Sequence, residues 1–119
     1  MSENYDLLLK NGKVVLPEGI KQINVGVTKG KIQAITENSN ISADEVFDCK
    51  GLHVLPGVID SQVHFREPGN EHKETLETGM KSAAMGGVTA VFEMPNTNPL
   101  TITNEAIDDK LERAKKSPW

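Results

Sequence analysis

Residues 57–65 read GVIDSQVHF and residues 88–96 read VTAVFEMPN. The first is a mostly apolar run of the kind expected of a fully buried strand. The second is rich in β-branched residues and closes in a Pro-Asn turn. Between them, HKETLETGMKSAAMGG places Leu76, Met80, Ala83 and Ala84 at helical spacing and stops at Gly86-Gly87. After them, TNEAIDDKLERAKKS puts Ile107, Leu111 and Ala114 on one helix face, with acidic residues early and basic ones late, as the helix macrodipole favours. Strand, helix, strand, helix is the repeat of a parallel α/β architecture. Two such units can neither close a barrel nor cover both faces of a sheet. The chain ends in KSPW, where the next buried strand is expected. This predicts the N-terminal portion of a longer protein, or a domain completed by another chain.

Upstream of Pro56 the pattern is different. DLLLKNGKVVL holds apolar runs on either side of Asn11-Gly12, a favoured two-residue hairpin connection. Ile23, Val25 and Val27 alternate with polar or small residues, Lys29-Gly30 makes a turn, and Ile32, Ala34 and Ile35 follow in another strand. A polar loop, ENSNISAD, precedes EVFDCKGLHVLPG, which supplies two further short strands around Lys50-Gly51. The expected arrangement is a meander burying one face.

The 119 residues suit one modest core, and composition is that of an ordinary soluble protein, 37% hydrophobic and 25% charged. Thirteen Lys plus Arg against 17 Asp plus Glu give a net charge of −4. That balance argues against a nucleic-acid or anionic-membrane partner, since both need a clustered basic footprint. The single cysteine, Cys49, rules out a disulfide within the chain and fits a reducing compartment. No apolar run approaches the roughly 20 residues of a membrane span, and MSENYD is unlike a signal peptide. The expected location is cytoplasmic.

In parallel α/β folds, functional residues gather at the C-terminal ends of the strands. Gln62, His64 and Arg66 end the first run, and Asn96 ends the second. Residues two apart on a strand face the same side, so positions 62 and 64 are expected to project together. Two His at that spacing grip one metal ion at about 2 Å, but here only His64 is an imidazole. Gln62 offers an amide oxygen, either as a weak ligand or as a hydrogen-bond partner for bound water or ligand. Arg66 carries the donor fork that suits a carboxylate, its plainer alternatives being an ion pair with Glu67 or a surface charge. Asn96 suits the same anion, or ordinary turn chemistry after Pro95. His53 and His72 read as structural or exposed. Glu71 and Glu74 suit the positive end of the helix that follows, and Cys49 has no basic neighbour to favour a thiolate.

LPGVIDSQVHFREPG followed by GGVTAVFEMPNTNP closely resembles the N-terminal part of the longer-chain dihydroorotases, within the amidohydrolase superfamily. The resemblance covers essentially the whole chain. It implies a (β/α)₈ barrel with a small β-sandwich, residues 1–55 being a sandwich segment and residues 56–119 the first two βα units. It implies one or two zinc ions at a site to which His64 and the Gln62 position belong, and Arg66 and Asn96 as binders of the substrate carboxylate. The implied reaction opens dihydroorotate to N-carbamoyl-aspartate, reversibly, in pyrimidine biosynthesis. The implied partners are that substrate, a second copy of the chain, or aspartate transcarbamoylase. The proton-shuttling Asp, the further His ligands and any carboxylated Lys lie on later strands in such proteins, so no catalytic residue is expected in this chain.

Allantoinases resemble the pattern too, but usually carry Asn at the Arg66 position and Met-Pro-Leu-Asn in the second motif. Hydantoinases lack the Arg-Glu-Pro-Gly turn. The family pattern Asp-x-His-x-His appears here as Asp60-Ser61-Gln62-Val63-His64, without its first His. This implies altered metal binding, or a silent relative that supports transcarbamoylase assembly.

Overall fold

The computed structural model describes residues 4–119, and the chain divides into two compact units, one ending at Pro56 and the other beginning at Gly57. The first unit is a single sheet of β1 (Asn4–Leu16), β2 (Gly19–Thr28), β3 (Lys31–Thr36), β4 (Ser42–Asp48) and β5 (His53–Val54). Lys29 and Gly30 take φ of 52° and 71° and join Thr28 to its partner Lys31, the two-residue turn expected there. Val14, Ile23 and Val25 form the buried core, with Leu9, Leu16, Val27 and Val54 packed around it. The alternation along β2 therefore does mark the core face.

Asn11-Gly12 does not turn the chain. β1 runs straight through it, and the register steps from Leu9 opposite Val25 to Gly12 opposite Ile23, so two residues, Lys10 and Asn11, oppose one, Asn24. Asn11 spends its positive φ of 62° on this bulge, because a buried and an exposed partner hold it there: its N–H donates to Oδ1 of the buried Asn24 (2.9 Å), and its own amide donates to the exposed Asp48 (3.0 Å). Gly12 has no room for a side chain, since a Cβ would lie 2.6 Å from Val54 Cγ2. The hairpin is instead closed by Pro17-Glu18, with Leu16 opposite Gly19.

The strand order β3-β2-β1-β4 is likewise not a meander, for β4 and β5 both lie parallel to β1. The free edge of β1 presents unpaired backbone groups, and these two strands satisfy them. The Lys50-Gly51 turn bridges the gap opposite the bulge, with Cys49 N–H on Lys10 O (2.7 Å) and Lys13 N–H on Leu52 O (2.9 Å). Cys49 is buried, which raises its thiol pKa and leaves it protonated.

Asp48 is held below the usual carboxylate range by the Asn11 amide and then by the Lys50 N–H. Because the folded value lies below the unfolded one, this stabilisation is complete above the ordinary aspartate range and is lost as the pH falls through the lowered value. Acid titration followed by near-ultraviolet dichroism should show the first unit of Asp48→Asn to be less stable at neutral pH and less acid-sensitive than the parent. Equal acid sensitivity of the two would refute the linkage.

The second unit holds β6 (Val58–Val63), α1 (Leu76–Met85), β7 (Val88–Glu93) and α2 (Asn104–Ala114), with β6 and β7 parallel. Helix α1 begins at a reciprocal cap between Thr75 and Thr78 and ends at Gly86, with Gly87 at φ 84°. Helix α2 starts on Thr103, whose hydroxyl accepts the Ala106 N–H. The β6 run is open, as two βα units that cannot cover both faces of a sheet imply: Val58 is 53% and Ile59 64% exposed, and among the described residues β7 is its one strand neighbour. Helix α2 buries Lys110 rather than Ile107 and Leu111, which are 45% and 54% exposed, because Lys110 has a carboxylate partner inside. No described helix is long and apolar enough to cross a membrane.

Candidate functional site

The C-terminal ends of β6 and β7 are knitted into one rim. Met94 N–H donates to Val63 O (2.8 Å), and Asn98 N–H donates to Pro68 O (3.1 Å). Gly69, at φ 100°, sits so close to the second loop that a Cβ would meet Asn98 O at 2.2 Å. Pro68 and Thr97 are buried, the Thr97 hydroxyl lying 2.9 Å from that of Thr101. The Arg-Glu-Pro-Gly and Asn-Thr-Asn-Pro turns thus dock on each other.

Within this rim His64 and Asn96 meet, as Nδ1 of His64 donates to Oδ1 of Asn96 at 2.9 Å. An amide oxygen only accepts, so the ring proton sits on Nδ1 and the lone pair on Nε2 is left for a ligand. Oδ1 being occupied, Asn96 keeps both Nδ2 hydrogens to donate. β6 ends at Val63, and between Asp60 and Val63 it bulges, with Gln62 N–H turned onto the Asp60 carboxylate (3.1 Å).

Arg66 is exposed and makes no ion pair among the described residues. Glu67, its nearest candidate, is taken on both oxygens, by Arg113 Nη1 (3.2 Å) and by the Leu76 N–H at the start of α1 (2.8 Å). Glu71 is taken as well. Its carboxylate accepts the Gly69 N–H at 3.0 Å and faces Arg113 at 3.5 Å, and it lies below the usual range chiefly through hydrogen bonds from its own N–H and that of Gly69. Glu71 therefore braces the turn, and Glu67 is the acid that caps the helix.

Four residues to which pattern reading gave no supporting role hold the rim: Glu67, weighed only as a partner for Arg66, and Glu93, Lys110 and Arg113. Glu93, at the end of β7, accepts the Phe65 N–H on Oε2 (3.1 Å) and Lys110 Nζ on Oε1 (3.2 Å). The spacing of Lys110 and Arg113, three apart on one helix, was the available signal. A cleft of about 280 Å³ lies beside this support, lined by Met94, Pro95, Ile107 and Leu111. Another of about 360 Å³ lies between α1, β7 and Trp119. Neither cleft contains His64, Arg66 or Asn96.

The donor set does not make a metal site by itself. Among the described residues no three His, Cys, Asp or Glu stand close enough to share an ion. His53 and His72 are exposed and join no such cluster, which leaves one imidazole nitrogen at the rim and the amide of Gln62.

Known proteins place this rim in context. The chain is 43% identical over 114 residues to an allantoinase of Desulfitobacterium hafniense (strain Y51), covering 95% of this chain and 25% of that protein. An allantoinase of Salmonella paratyphi B is 44% identical over 113 residues, with 94% and 25% covered. Among solved structures, the L-hydantoinase from Arthrobacter aurescens superimposes with a TM-score of 0.81 at 34% identity, over 92% of this chain and 25% of that one. The D-hydantoinase from Thermus sp. gives 0.71 at 29% identity, over 91% and 24%. The chain thus spans about a quarter of the length of these relatives, and its α/β fold is that of the matching part of a hydantoinase-type barrel protein. Residues 51–117, more than half of the chain, match the model of the Dihydro-orotase-like family, and the chain belongs to that family within the amidohydrolase superfamily.

Proposed function

We propose that this chain supplies the substrate-orienting rim of a cyclic amidohydrolase of the allantoinase or hydantoinase type. In the proposed reaction water adds to a ring amide carbonyl, the ring C–N bond breaks and the freed nitrogen takes a proton. The observation that carries this reading is the pairing of His64 with Asn96 at adjacent strand ends, beside Arg66, which makes no ion pair among the described residues. In parallel α/β barrels the C-terminal strand ends are where reaction centres are built. Arg66 and the Asn96 amide are both donors, so together they suit an acceptor-rich edge of the substrate, a carboxylate or a ring carbonyl. His64 holds its proton on Nδ1 and faces the ligand with Nε2. No proton transfer falls to the residues of this chain.

Dihydroorotate is a second reading, favoured by Arg66 and by the Arg-Glu-Pro-Gly turn, which suit a carboxylate-bearing ring. Turnover of allantoin, hydantoin and dihydroorotate, measured in parallel, separates these substrates. Failure on all three would overturn the proposed activity and leave a silent relative that binds rings or supports a partner such as aspartate transcarbamoylase.

Gln62 bears on that last outcome. If a neutral amide there weakens a zinc site completed by groups outside this chain, Gln62→His should raise zinc affinity by about tenfold or more, read as zinc retained on dialysis. Unchanged retention would sink the idea that Gln62 disables the site.

A further inference from the structure

We propose that Lys110 and Arg113 of α2 are positioning residues that hold Arg66 in its ligand-facing place, acting through the carboxylates of Glu93 and Glu67. This rests on the rim reading above and assigns the helix a part in it. Each carboxylate is used twice. One oxygen takes a cation of α2, Lys110 on Glu93 (3.2 Å) and Arg113 on Glu67 (3.2 Å). The other takes a backbone N–H, Phe65 for Glu93 (3.1 Å) and Leu76 for Glu67 (2.8 Å).

Arg66 stands between these anchors, with Phe65 pinned before it and Glu67 pinned after it. Its own side chain makes no ion pair among the described residues. That combination, a fixed backbone under a free guanidinium, is what preorganised recognition of an anion or carbonyl requires. The Lys110–Glu93 pair is well shielded, with side chains 11% and 17% exposed, so solvent screens it little. The ring of Phe65 is held as well, packed so close to Gly79 of α1 that a Cβ there would stand 2.6 Å from it.

The test uses the purified protein carrying Lys110→Met with Arg113→Met, and separately Lys110→Arg with Arg113→Lys. Amide hydrogen exchange is expected to accelerate at least tenfold at Phe65 and Leu76 in the Met pair, with the β6–β7 amides unchanged, and to return toward the parent rate in the conservative pair. Should the Met pair fail to fold, Glu93→Gln, which keeps the shape and one acceptor, is expected to give the same local acceleration in weaker form. For a ring substrate that the parent opens, the Met pair should raise KM about tenfold while kcat stays within about threefold, and the conservative pair should restore KM. Unchanged exchange at Phe65 and Leu76 overturns the proposal, as does accelerated exchange with both kinetic constants unmoved. If the parent opens no ring, the activity reading has failed by itself, and the exchange rates alone decide whether the helix holds the rim.

Discussion

Gly69→Ala is expected to destabilise the second unit by roughly 2–5 kcal/mol, the sum of a left-handed backbone cost and forced displacement of packed neighbours. At φ 100° an L side chain is strained whatever surrounds it. Here the new Cβ would also stand 2.2 Å from Asn98 O and 2.7 Å from Asn98 Cβ. The first of those atoms is backbone, so no rotamer change relieves it. The two turns must part, and the Asn98 N–H to Pro68 O bond one residue away goes with them. Gly87→Ala is the control, since Gly87 has a similar φ of 84° with nothing within 4 Å of its Cβ position. It should cost only the backbone term, about 1–2 kcal/mol. Denaturant titration of both variants measures the difference. A Gly69→Ala cost no larger than that of Gly87→Ala would mean that the two turns do not dock.

This docking explains which features were legible in the sequence. Local rules read the α/β repeat, the Gly86-Gly87 stop of α1 and the Lys29-Gly30 turn, because Gly and the spacing of apolar residues act within a few positions of themselves. The same local rule misread Asn11-Gly12. Positive φ at Asn11 is real, but Asn24 and Asp48, distant in sequence, direct it into a bulge. The parallel placement of β4 along β1 is equally non-local. Composition marks β6 as a strand of the buried kind, and counting two βα units already implied that one of its faces stays uncovered.

At the rim, His64, Arg66 and Asn96 were found because chemistry-bearing side chains at two strand ends are conspicuous. Their supports were missed because Glu67, Glu93, Lys110 and Arg113 look like ordinary surface charges until the fold sets them face to face. Glu67 entered only as an alternative ion-pair partner for Arg66. It lies next to Arg66 in sequence but is held by Arg113, 46 residues away. The substrate distinction between allantoinase-type and dihydroorotate-type rings turned on single residues, and the relatives described above include allantoinases and hydantoinases.

Removal of the Arg66 charge is the variant that decides what the rim binds. Arg66→Met keeps the aliphatic stem and deletes the donor fork. Because the side chain is exposed and makes no ion pair among the described residues, stability should stay within about 0.5 kcal/mol of the parent. Any kinetic change then belongs to the substrate. A hydrogen bond to a charged group contributes about 1.5–3 kcal/mol, so KM for a carboxylate-bearing ring should rise roughly 10–150-fold. A neutral ring such as hydantoin offers only carbonyl oxygens, and its KM should rise by about tenfold or less, since neutral hydrogen bonds contribute nearer 1 kcal/mol. Arg66→Lys should recover part of the loss for the anionic ring, as a point charge cannot reproduce two parallel N–H donors. If instead the anionic and neutral rings lose equally, Arg66 does not read a carboxylate, and the dihydroorotate reading falls while ring opening of the allantoinase or hydantoinase type stands.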